Sequence, residues 1–164
     1  MPKIPFTGFP LANYLRFTAA RFQFTFNRVP HTYTSTINLG EIDQRQFFDF
    51  LIDGPIGYTV PGAILGWDGE FFGNRGTEGI ATAFLLGQVY TSCNYKTLTI
   101  KNETAKYHLL NPGHVTMQVY KEGNDVYVKV HGEGKGNFKR LNNTFGPIVF
   151  EKMIKRAAWE FNSL

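Results

Sequence analysis

The stretch Asp125-Val-Tyr-Val-Lys-Val-His131, with Phe150-Glu-Lys-Met-Ile-Lys-Arg-Ala-Ala-Trp-Glu-Phe161 a short way beyond it, decides the fold. In the first, Val126, Val128 and Val130 share one face and Tyr127, Lys129 and His131 the other, the alternation of a half-buried strand. His114-Val-Thr-Met-Gln-Val-Tyr120 precedes it across Lys121-Glu-Gly-Asn124, and a Gly-Asn connection between two such runs predicts a β-hairpin. In the second, Phe150, Met153, Ile154, Ala157, Ala158 and Phe161 fall at helical spacing on one face, with Glu151, Lys152, Lys155, Arg156 and Glu160 opposite. Asn143 or Thr144 is the expected cap of this helix and Pro147 the expected first-turn residue. Ile148, Val149 and Trp159 widen the apolar face, so the helix needs a broad partner, and a sheet supplies one. Gly132-Glu-Gly-Lys-Gly-Asn137 reads as a flexible exit that turns the chain back over the sheet.

Working outward, residues 105–110 read as a strand, joined to the hairpin by Asn111-Pro-Gly113 and to a strand over 95–101 by Asn102-Glu-Thr104. Residues 80–90 are apolar and read as a buried strand or a short helix. The glycine-rich segment 54–79 reads as turns and short strands. Residues 41–52 predict a helix with Asp-Gly as its stop and Glu41 and Asp43 at its positive end. Residues 32–39 predict a strand rich in Thr, Tyr and Ile. In Arg21-Phe-Gln-Phe-Thr-Phe-Asn27 the phenylalanines alternate, which points to a strand rather than an interfacial helix. Residues 11–20 read as a short helix and 1–10 as an irregular arm.

A chain of 164 residues fits one domain with its own core. The net charge of +4 is unevenly spread, being basic over 1–30 and again through Lys135, Lys139, Arg140, Lys152, Lys155 and Arg156. Such a surface could favour an anionic partner, but at this modest net charge ordinary solubility explains it better. The single cysteine, Cys93, excludes an internal disulfide and a Cys-based zinc finger. The first ten residues lack the apolar core of a secretory signal, and no apolar run reaches membrane-spanning length, so the expected location is cytoplasmic.

Two stretches are similar to the START-like, polyketide-cyclase-like family, whose architecture is called the helix-grip fold. Residues 33–53 resemble its opening, a strand and turn followed by a helix closing on Leu-x-Asp. Residues 126–164 resemble its ending, a last strand followed by a long helix gripped by the sheet. The resemblance implies a cavity between a curved sheet and the last helix, holding an apolar or aromatic ligand. Members range from lipid carriers to cyclases and hydrolases, so it does not fix a function. Residues 1–30 depart from the pattern, and 54–79 match no part of it.

The candidate chemistry is sparse. His131 and Glu133 would share one strand face and could move a proton, although an exposed hairpin end is the better explanation of them. Gly132, Gly134 and Gly136 match no phosphate-loop spacing. His108 and His114, with Asp68 or Glu70, would form a metal site only if the fold converged them. Asp68 and Glu70, set among Trp67, Phe71 and Phe72, could instead be a paired acid and base. Cys93 lacks an identifiable base and suits a buried packing role. Phe138 among Lys135, Lys139 and Arg140 resembles a nucleic-acid grip, but no recognised signature accompanies it.

The expectation is therefore a single α+β domain over 1–164, a curved antiparallel sheet packed against a long C-terminal helix. Residues 1–30 form a basic, Phe-rich arm or extra strand, open to peripheral membrane or homo-oligomer contact. The expected function is binding of an apolar or aromatic, lipid-like small molecule, with no cofactor and no metal. Phe48, Trp67, Phe71, Phe84, Tyr90, Phe150, Met153 and Ala157 are the expected walls. The catalytic candidates of the alternative, a small hydrolase or cyclase, are His114, His131, Glu133, Asp68 and Glu70. A third reading is an assembly protein joined through the arm.

Overall fold

The computed structural model describes residues 30–60, 63–65, 78–83, 87–108, 110–135 and 139–164. Strand β1 (His31–Gly40) leads into helix α1 (Gln44–Asp53), a 3-10 turn (Ile56–Tyr58) and strand β2 (Ala63–Leu65). Strands β3 (Glu78–Ala83), β4 (Gly87–Asn94), β5 (Thr99–Thr104), β6 (Gly113–Glu122) and β7 (Asp125–Gly134) follow, and helix α2 (Lys139–Phe161) closes the chain. Among the described residues these strands form one curved antiparallel sheet in the order β1-β7-β6-β5-β4-β3-β2. The predicted α+β architecture with its long terminal helix is the one observed.

The hairpin forms where the alternation places it. Glu122 pairs with Asp125 around a two-residue loop, and Gly123 takes a positive φ of 62° that a side chain would strain. Val126, Val128 and Val130 are fully buried, each contributing about 2 kcal/mol. Helix α1 starts where Asp43 accepts a 2.7 Å hydrogen bond from the Gln46 N–H, so Asp43 is its cap rather than a first-turn acid. Glu41 precedes that helix. Phe47, Phe48, Leu51 and Ile52 are sealed into the core, and the Gly54 N–H closes the helix on the Phe50 carbonyl.

Four expectations are corrected. The strand placed over 95–101 begins only at Thr99 and runs through Asn102 to Thr104. The reason is local: Asn94 Oδ1 accepts from the Lys96 and Thr97 N–H groups and folds 95–98 into a turn, with Leu98 at φ 49°. The strand expected at 105–110 is also a turn, closed by His108 N–H on the Ala105 carbonyl and Asn111 N–H on the His108 carbonyl. Strand β7 continues through Gly132 and Gly134, which were read as its flexible exit. Helix α2 starts at Lys139, and Pro147 sits inside it rather than in its first turn. Pro147 removes one hydrogen bond from the ladder there without ending the helix. Tyr33 on β1 projects between Gly132 on β7 and Gly146 on α2, so the early part of α2 rests against the sheet. The apolar run at 80–90 forms parts of β3 and β4. The readings over 1–29, including the arm and the alternating phenylalanines, lie outside the described residues.

The sheet has two faces. Tyr33, Ile37, Val126, Val128, Val130, Met117, Val119 and Ile100 point inward to one cluster with the buried sides of α1 and α2. Phe161 joins that cluster edge-on to Phe47 and Phe50, at ring-centre distances of 5.5 and 5.4 Å. A seven-stranded sheet is roughly 30 Å wide and a helix about 10 Å across, so α2 cannot cover it all. It lies against β1, β7, α1 and the 3-10 turn. Tyr58 in that turn donates a hydrogen bond to the Glu160 carboxylate, which Arg156 also holds at 2.8 Å, tying down the helix end.

Candidate functional site

Strand pairing brings three ends together. His31 opposes Gly134 on β7, and Gly134 opposes Gly113 on β6, so β1 and β6 begin where β7 stops. The Lys135 N–H then bonds to the Pro112 carbonyl at 2.8 Å. An open cleft of about 700 Å³ lies at this end, lined by Pro30, His31, Thr32, Pro112, Gly113, His114, Glu133, Gly134, Lys135 and Asn143. Asn143 comes from α2, so the cleft lies at one end of the seam between sheet and helix. The glycines matter to its shape: a Cβ on Gly134 would lie 2.8 Å from the Pro112 carbonyl oxygen and 3.2 Å from His31 Nε2.

His114, His131 and Glu133 come together. All three stand on the outer face, opposite the valines, because they occupy the alternate strand positions. Glu133 Oε1 is 3.4 Å from His114 Nε2 and Oε2 is 3.7 Å from His131 Nε2. His131 Nδ1 is 2.9 Å from Thr34 Oγ1 on β1, so the group spans three strands. His114 and Glu133 line the cleft, and His131 does not. Among the described residues no group of three or more His, Cys, Asp or Glu is placed to hold a metal. His108 is buried, and its Nδ1 accepts the Leu110 N–H at 3.1 Å. Burial pushes its pKa down to about 4. Cys93 is likewise a packing residue, its thiol pushed up to about 12 by burial.

The expected wall residues divide. Phe48, Phe150, Met153 and Ala157 face inward and belong to the packed core between sheet and helices. None of them lines the cleft. Tyr90 is placed differently from expectation: alternation along β4 turns it to the outer face, 51% exposed, while its neighbours Val89 and Thr91 are buried. Trp67, Asp68, Glu70, Phe71 and Phe84 lie outside the described residues. Further along the inner face Asn102 takes a 2.6 Å hydrogen bond from Thr91 Oγ1 and donates at 2.7 Å to the Thr59 carbonyl. These buried polar groups interrupt an otherwise apolar surface.

Sequence reasoning missed His31, Thr32, Lys135 and Asn143 as site residues. Two signals were present but read only as architecture: the Asn111-Pro-Gly113 turn, and the cap character of Asn143. Nothing local signalled His31, which faces the cleft because Gly134 stands opposite it.

No protein-family model matches the sequence, and no curated protein matches it. Solved structures do match. The ginseng major latex-like protein 151 of Panax ginseng aligns with a TM-score of 0.55 at 13% identity, over 78% of this chain and 94% of that one. A norcoclaurine synthase point mutant of Thalictrum flavum, in complex with a transition-state analogue, aligns with a TM-score of 0.53 at 12% identity, over 84% of this chain and 99% of that one. At such identities the likeness is one of fold. That fold is the helix-grip fold.

Proposed function

We propose that the protein binds a small apolar or aromatic molecule in the cleft at the open end of the sheet–helix seam. The observation that carries this reading is the cleft itself. Its volume of about 700 Å³ suits a small organic ligand, and Pro30, Pro112, Gly113 and Gly134 form part of its wall. A few polar groups stand at its rim to orient a ligand: His31, His114, Glu133 and Asn143. Among the described residues, the seam next to it is occupied by core side chains of the sheet and the two helices. Native mass spectrometry and a thermal-shift screen with lipids and aromatic compounds test the reading. Binding by the wild type and its loss in Asn143→Phe, which fills the cleft, support it. An unchanged affinity in that variant, or no binder in the screen, overturns it.

One observation favours a second reading. His114 and Glu133 are paired at the rim, an arrangement in which a carboxylate orients an imidazole for proton transfer. In this reading His114 takes a proton from the bound molecule. Conversion of the bound compound by the wild type and not by His114→Gln would establish catalysis. Equal persistence in both would restrict the protein to binding.

A further inference from the structure

We infer that the first turn of α2 is a gate on the cleft, built from two competing starts for the same helix. In an α-helix each N–H bonds to the carbonyl four residues back. Position 147 should therefore serve Asn143, but Pro147 carries no N–H. The hydrogen-bond ladder has a gap there, and the bonds donated from 143–146 form an isolated turn ahead of it. A second observation falls on the same residue. The Asn143 Oδ1 is shut away from solvent and has no hydrogen-bond partner among the described residues. Two acceptors of one residue, main chain and side chain, thus lose by the long form of the helix. A buried unpartnered acceptor opposes the state that contains it.

The sequence encodes the alternative. If the helix starts at Thr144, the threonine hydroxyl accepts the Gly146 N–H as a cap. Pro147 then stands at the third helical position, where a missing N–H costs nothing. Asn143 lies outside the helix, and both of its acceptors reach water. Asn143 is the residue of α2 that lines the cleft, so shortening the helix to this start withdraws that wall. The rest of α2 stays in place. Gly146 remains against Tyr33, Met153, Ile154, Ala157 and Ala158 remain in the core, and Glu160 remains bonded to Tyr58. The transition is a local opening of one turn and leaves the sheet intact.

Amide hydrogen exchange of the unliganded full chain tests the gate without reference to any ligand. In the wild type the amides of 144 and 145 should exchange at least tenfold faster than those of 154–158. Pro147→Ala, which restores the missing bond, should slow 144 and 145 at least tenfold. Thr144→Val removes the cap while keeping the side-chain shape, and should slow the same amides about fivefold. Thr144→Asp supplies a stronger cap and should speed them. Equal exchange in the two segments, or the same direction of change in Thr144→Val and Thr144→Asp, overturns the gate. Association of the fluorescent aromatic dye 1-anilinonaphthalene-8-sulfonate, followed by stopped flow, supplies a second readout that rests on the proposed function. Slower association in Pro147→Ala supports gate and cleft together. Exchange that behaves as described, with no dye bound, supports the gate and overturns the binding site.

Discussion

Gly132→Ala is the most direct test of how the helix is held on the sheet. A Cβ at Gly132 would lie 2.4 Å from both Cε1 and Cζ of Tyr33. Carbon atoms in contact sit about 3.5–4.0 Å apart, so the ring would have to move by more than 1 Å. It cannot move toward α2, because a Cβ at Gly146 would itself lie only 2.8 Å from Tyr33 Cζ. The ring must leave its slot or the helix must lift. Overpacking of this kind costs about 3 kcal/mol, the upper part of the usual range, since both sides are blocked. Urea unfolding followed by circular dichroism measures the loss, with an unchanged m-value showing that the folded state stays compact. The double variant Tyr33→Val with Gly132→Ala should be more stable than the sum of the single changes by about 2 kcal/mol, because the small side chain vacates the clash. A Gly132→Ala protein within about 0.5 kcal/mol of the wild type, or strict additivity in the double variant, would refute the reasoning.

The remaining predictions concern the core, titration and reactivity. Phe48→Ala, at a fully buried position on α1 against Tyr95, should cost about 4 kcal/mol by the same urea assay. His108 has a pKa near 4 when folded against an ordinary 6.5, so the unfolded chain takes up the proton first as pH falls. Its contribution, about 3 kcal/mol, is complete above pH 6.5 and is lost progressively down to pH 4. His108→Asn, which keeps an acceptor for the Leu110 N–H, should flatten that part of the pH–stability curve, and an unflattened curve would assign the slope to other groups. Cys93 should react with a disulfide reagent at pH 8 at least a hundredfold more slowly than in urea-unfolded protein, since burial keeps its thiol protonated. Comparable rates in the two states would contradict its packing role.

Legibility followed the range of the interactions. The valines of β7 and the stripe Phe150, Met153, Ile154, Ala157 and Ala158 of α2 are set by side-chain periodicity, a local property, and are buried where that pattern puts them, whereas Ile148, Val149 and Trp159, expected to widen the apolar face, point to solvent. The strand at 95–101 was misplaced because the deciding interaction belongs to a side chain just upstream, Asn94, whose oxygen turns the next residues. The start of α2 was misplaced for a different reason. The cap at Thr144 and the proline at 147 are genuine signals for a helix start, but a missing N–H takes one bond from the ladder without ending it, and the helix already runs from Lys139. His131 and Glu133 were legible as neighbours on one strand face. Their convergence with His114 needed the register of β6 against β7.

The sequence by itself determined the elements that repeat over a few residues: the terminal hairpin, the two helices and the inward set of valines. Side-chain periodicity and turn chemistry act over that distance, so one dimension suffices to read them. Tertiary structure alone decided which chain ends meet, and therefore where the cleft lies and which residues line it. His31, Pro112, Glu133 and Asn143 are far apart along the chain and adjacent only because β1, β6 and β7 pair at one end beneath α2. Strand register, set by burial of the valine face and by the room that glycines leave for Tyr33, is a property of the packed molecule that no local pattern encodes.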